Sequence, residues 1–123
     1  MADSIPYDIA EQQGFKKIVI VRTRDINYRK KPTSRALAQL LRRYYPDYPV
    51  FVKTAIARPA VYNQQVEEIN RRSKEKEFFT IAPQHAVKVS RIEGNTKKLA
   101  QLYETGKQEA KLILPQLIKY LDR

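Results

Sequence analysis

Apolar positions along the chain change their period several times, and each change marks an element. The run "IVIV" at Ile18–Val21 is apolar at four consecutive positions. Unbroken apolarity of that length predicts a parallel strand covered on both faces, inside the longer segment "FKKIVIVRTR". "EFFTIAP" predicts a second strand, ended by Pro83, and the two are expected to lie parallel over Lys17–Thr23 and Glu77–Ile81 with a helical crossover between them. Helical spacing accounts for most of the rest. Pro6–Gln13 reads as a short helix that Asp3 or Ser4 is placed to cap and that Gly14 stops in the left-handed conformation. "SRALAQLLRRYY" places Leu37, Leu40, Leu41 and Tyr44 on one stripe, with Thr33 or Ser34 as cap. "VFVKTAIA" reads as helix because Val52, Ala55 and Ile56 keep helical spacing. Pro59 is expected to start a longer helix to about Lys74, inward through Tyr62, Val66 and Ile69. Val87 and Val89 suggest a short extended piece. Asn95 then caps a final helix with Leu99, Leu102, Tyr103, Gly106, Ala110 and Ile113 on one stripe, which Pro115 should kink or break.

This inventory predicts an α/β fold: a small parallel sheet of two strands packed with four to five helices. A two-stranded parallel pair satisfies neither its outer edges nor both of its faces. The expectation is therefore a single domain, 1–123, in which either the helices wrap the pair tightly or strands encoded upstream complete the sheet, the isolated chain otherwise self-associating into a homo-oligomer.

Composition changes that picture mainly through charge. The 123 residues carry 24 Lys and Arg against 13 acids, a net +11, and residues 16–58 hold most of the excess, with Asp25 and Asp47 their only acids. Such a field favours an anionic partner: nucleic acid, a phospholipid surface or a phosphorylated substrate. The chain has no cysteine, which excludes disulfides and thiolate metal sites and fits a reducing, cytoplasmic setting. No stretch approaches the length of an apolar membrane span.

Little in the sequence supports self-contained catalysis. The three glycines (Gly14, Gly94, Gly106) are isolated, so no phosphate-cradling loop exists. None of the four serines lies in a G-x-S-x-G elbow. His85 is the only histidine and has no metal-ligand companion at useful spacing; neither a metal nor a cofactor is expected. The acid pairs Glu67/Glu68 and Glu75/Glu77 sit among cations and read as solvated surface. The loop "NYRKKP" follows the carboxyl end of the first strand, where open α/β sheets bind ligands. Arg24, Tyr28, Arg29, Lys30 and Lys31 are the anion- or phosphate-binding candidates there. The tyrosines weigh on the choice of partner. Tyr44, Tyr62 and Tyr103 fall on apolar stripes and are expected in the core, whereas Tyr28, Tyr45 and Tyr48 are left for stacking, so nucleic acid is the less favoured partner.

Taken in order, "DSIP" with its short helix, "GFKKIVIVRTR", "NYRKKP", "FFTIAP" and "VSRIEGNTKKLAQLYETG" resemble the C-terminal part of bacterial patatin-like phospholipases. The resemblance runs from Asp3 to about Leu117. It implies an acyl-ester hydrolase working through a Ser-Asp dyad, in which Asp3 of "DSIP" is the dyad aspartate. The serine elbow and the Gly-rich oxyanion loop of that family are missing from this chain, so it is expected to be inactive alone and to need the remainder of the phospholipase domain as its partner. The resemblance also implies that residues 1–83 end the α/β core and that 84–123 form a helical C-terminal extension.

Overall fold

The computed structural model describes residues 5–90 and 92–123; Asp3 and Ser4, the expected helix caps, lie outside them. The element order is α1 (Tyr7–Gln12), β1 (Ile18–Val21), α2 (Arg35–Tyr44), α3 (Pro49–Lys74), β2 (Phe78–Ile81) and α4 (Thr96–Leu121). It is a small α/β fold. The strands are parallel, with Ile18 opposite Phe78 and Val21 opposite Ile81, as the apolar runs predict.

The core sits where α3 covers one face of this pair. Ile18, Ile20, Phe78 and Ile69 form its centre, with Ile5, Tyr7 and Ala10 packed against it. Val66 and Ile69 are wholly enclosed. The expected burial of β1 on both faces is wrong. Ile18 and Ile20 are buried, but Val19 and Val21 on the opposite face are exposed, Val21 by 71%. The reason is coverage: α4 packs against β2, meeting Phe79 through Tyr120 at a ring separation of 5.5 Å, and touches β1 only at its start, where the Tyr120 hydroxyl bonds to Ile18.

Two prolines also behave otherwise than expected. Pro59 does not start a helix, and Pro115 does not end one; each lies inside a continuous 26-residue helix. A proline costs its helix one ladder bond and crowds the preceding turn. At Pro59 that turn is held from outside, where Thr33 Oγ1 donates to the Ile56 carbonyl at 2.8 Å, and the buried stripe of Val52, Tyr62, Val66 and Ile69 runs on past it. The segment holding Val87 and Val89 forms no strand.

Caps follow the sequence where side chains supply them. Ser34 accepts from the Leu37 amide at the start of α2, and Asn95 accepts from those of Lys97 and Lys98 at the start of α4. Gly14 takes φ +86° after α1, a conformation that only glycine adopts freely. α3 ends at Lys74, where the sequence expects it, and the stop needs no glycine: Lys76 takes φ 61°, and the Glu77 amide reaches back to the Arg72 carbonyl at 2.9 Å, closing a Schellman-type motif.

The apolar stripes of α2 and α4 are largely bare. Tyr44 and Tyr103, expected in the core, are 70% and 67% exposed, whereas Tyr62 is buried as expected. The chain exposes 9979 Å², where a compact monomer of 14.4 kDa exposes about 6,800 Å². Large apolar side chains share in this exposure, among them Val19 and Val21 on β1, Leu37, Leu40 and Tyr44 on α2, and Leu102, Tyr103 and Leu112 on α4.

Candidate functional site at the carboxyl end of the first strand

β1 hands over to its loop through Arg22, whose amide donates to the Ile81 carbonyl at 2.7 Å and so prolongs the ladder by one residue. Bonding residues alternate along a strand. Ile18, Ile20 and Arg22 therefore face β2, while the amides and carbonyls of Val19 and Val21 point off the open edge. A groove of about 440 Å³ follows this edge from Ile18 to Arg24, with Tyr7 and Ala10 on its flank.

The Arg22 side chain is buried. It donates to Asn70 Oδ1 on α3 at 3.3 Å and to the Asp25 carbonyl at 3.2 Å, which folds the loop back over the strand end. Its Nε has no hydrogen-bond partner among the described residues. The Tyr28 amide donates to the Asp25 carbonyl at 3.1 Å and closes the turn that presents the rest of the loop.

Three attachments then stitch the loop to α3. Arg29 donates through Nε and a terminal nitrogen to Glu67 Oε1, at 2.9 and 2.6 Å. Lys30 and Asn63 exchange two hydrogen bonds between the Lys30 backbone and the Asn63 side-chain amide, both 2.9 Å. Thr33 makes the third, to Ile56.

The five candidates of this loop accordingly separate. Arg29 is a brace: Glu67 takes two of its nitrogens, and the third donates to the Ile26 and Tyr28 carbonyls. Lys31 is exposed beside it. Arg24, Tyr28 and Lys30 do come together, around a residue that sequence reasoning assigned to the core. Tyr28 meets Tyr62 edge-on with ring centroids 6.2 Å apart. The Arg24 guanidinium stands 4.9 Å over the Tyr28 ring and the Lys30 ammonium 4.4 Å over that of Tyr62, contacts that the ring quadrupoles favour. Partial burial, with the charges of Arg58 and Arg24 behind it, holds the Lys30 ammonium below its ordinary 10.5. Arg58 was missed. Its signal was present, since a cation at 58 and an aromatic at 62 share one face of a helix at i, i+4.

Two cations over two aromatic rings, with the charge of Arg58 acting on Lys30, favour an anion, and a bound anion would raise Lys30 again. Among the described residues no carboxylate forms an ion pair with Arg24 or Lys30. Nor does any group of three or more His, Cys, Asp or Glu there make a metal site. Asp3, the dyad aspartate by resemblance, lies outside the described residues. Ser34 is committed to its cap and Ser73 to Thr80 Oγ1, 2.7 Å away.

No curated protein and no solved structure matches the chain. A family comparison matches residues 48–122, which hold α3, β2 and α4 and leave out β1 and its loop. Over more than half of its length, then, the chain belongs to the family described as domain of unknown function DUF6363.

Proposed function

We propose that the chain is the sheet-completing C-terminal part of a patatin-like phospholipase, carrying the dyad aspartate Asp3 while the serine stands on the rest of the enzyme. By itself it hydrolyses no ester. The observation that carries this reading is the bare edge and outer face of β1. Parallel sheets are stable when both faces are covered and their strands paired. Further parallel strands laid against this edge would pair the outward amides of Val19 and Val21 and bury both side chains. The Arg24–Lys30 cluster would then stand on the carboxyl rim of a full sheet, where open α/β folds hold ligands. A cytoplasmic setting fits the absence of cysteine.

The test is an esterase assay on p-nitrophenyl butyrate. It uses the chain, the serine-bearing remainder of a bacterial patatin-like phospholipase, and their mixture. Only the mixture should turn over, and Asp3→Asn should abolish turnover. Val21→Pro removes an amide that points off the edge, so it should block assembly while leaving the chain's own far-UV circular dichroism unchanged. Hydrolysis by the chain alone, failure of the two pieces to associate, or an active mixture containing Asp3→Asn would overturn the reading.

A second reading, a small basic module for nucleic acid or anionic phospholipid, is favoured by the exposure of Tyr44 and Tyr103. Rings free among cations are what base stacking uses. Binding of a single-stranded oligonucleotide that falls steeply with salt and is lost on Tyr44→Ser would support it; binding indifferent to Tyr44 would remove it.

A further inference from the structure

The corner where α2 passes into α3 combines two surface properties that rarely coincide. α2 is amphipathic but turned the unusual way: Ala38 is its buried residue, while Leu37, Leu40 and Tyr44 of its apolar stripe face solvent. The turn that follows adds Tyr48 and Val50, which are 63% and 77% exposed. Around these stand Arg35, Arg42, Arg43 and Lys53, all exposed, and Asp47 is the only acid between 35 and 58.

We propose that this corner is a docking surface for an anionic phospholipid membrane, which it enters in the plane of the headgroups. The inference is independent of the hydrolase reading and rests on the second one, which it deepens by assigning the surface and its occupant. Charge complementarity selects the occupant. A protein partner would cover the apolar stripe but would have to bring acids for four cations, and an anionic bilayer supplies both at once. Tyrosines at the level of the headgroups and aliphatic side chains below them match the layering of a bilayer surface. Nucleic acid would use the tyrosines and cations but has no place for Leu37, Leu40 and Val50. Attachment would be peripheral, because no helix among the described residues is long and apolar enough to cross a membrane.

The chain contains no tryptophan, so Val50→Trp gives a single fluorophore at the deepest expected point. On mixing with vesicles of phosphatidylcholine and phosphatidylglycerol its emission should shift to the blue, and with pure phosphatidylcholine it should barely move. In vesicle sedimentation, the triple variant Arg42→Gln, Arg43→Gln, Lys53→Gln should bind on the order of a hundredfold more weakly, about fivefold per cation. The double variant Tyr44→Ser, Val50→Ser should also weaken binding. The exposed control triple Lys97→Gln, Lys98→Gln, Lys107→Gln should lose much less. Absence of a blue shift would overturn the proposal, as would equal losses from the two triples. Tighter binding to a single-stranded oligonucleotide, lost on Tyr44→Ser but kept by Val50→Ser, would replace it with a nucleic-acid surface.

Discussion

Tyr120 shows how much a single side chain holds together here. Its hydroxyl accepts from the Ile18 amide at 3.1 Å and stands 2.8 Å from the Glu77 carbonyl and 3.3 Å from that of Ile18. The end of α4 is thereby bound to the start of both strands, beside the contact of the Lys17 ammonium with the Leu121 carbonyl. Tyr120→Phe keeps the ring on Phe79 but leaves a buried amide without its acceptor, which costs about 1–3 kcal/mol. Urea unfolding should record that loss with an unchanged slope. Arg72 plays the corresponding part for α1. It pairs with Glu11 and Glu77 and lies 4.0 Å over the Phe78 ring. The hydrogen bond from Arg72 holds the Glu11 carboxyl below its ordinary 4.5. Glu68 is held low in the same sense by Arg71. A carboxyl lowered in the folded state gives stability that is fully present above its unfolded value and fades as pH falls through the folded one. Glu11→Gln should therefore lower the melting temperature at neutral pH, and the gap to the wild type should close as the pH drops below about 4. A gap constant across that range would mean that the pair adds nothing to stability.

Among the elements, α3 and α4 have the same length and opposite surroundings. α3 buries Val52, Tyr62, Val66 and Ile69, whereas α4 buries only Tyr120 near its far end. Amides opened by local fluctuation exchange faster where few apolar contacts resist opening. Hydrogen exchange should therefore be fast over Thr96–Lys111, slower near Tyr120 and slowest around Val66–Ile69. Uniform protection along α4 would show its apolar stripe to be covered in solution. The same contrast explains what the sequence made legible. Apolar period marked both strands and the inward face of α3 from each segment's own residues. The length of chain between the strands called for a helical crossover and so a parallel pair, although Ile18 pairs with the distant Phe78. Apolar period could not tell that the stripes of Leu37–Tyr44 and Leu99–Ile113 face solvent. A stripe records that something covers it, and not whether the cover is this chain. The prolines misled for a related reason: local geometry predicts a break at 59, and packing on both sides of Pro59 overrides it. At the site, the loop's position after β1 was legible from "NYRKKP". The division of labour within it was not, since Arg29 turns to Glu67 and Lys30 to Tyr62 through partners on α3 that lie more than thirty residues away.

For the molecule as a whole, the excess of exposed surface and the net charge pull in opposite directions. The surplus over a compact monomer is on the order of 3,000 Å², more than the roughly 1,600 Å² that a specific interface buries in total. Its apolar parts, the β1 edge with Val19 and Val21 and the bare stripes of α2 and α4, favour association whenever the partner proposed above is missing. The charge of +11 opposes it, because two like copies repel before they touch. Distance decides between them. Repulsion between exposed charges is screened beyond about 8 Å at physiological salt, whereas burying a few large side chains gives about 1.5–3 kcal/mol each at contact. The purified chain should accordingly form a dimer or larger species, and more of it as salt rises, which is the reverse of an association driven by ion pairs. Two-fold symmetry is the simplest closed arrangement, with β1 meeting β1 across the axis. Val21→Pro distinguishes the surfaces involved. If the strand edge is the contact, light scattering should return the mass toward that of a monomer for this variant; if α2 or α4 is the contact, the mass should not change. A monomer mass for the wild type at every salt and protein concentration would show instead that the helices close over β1 in solution.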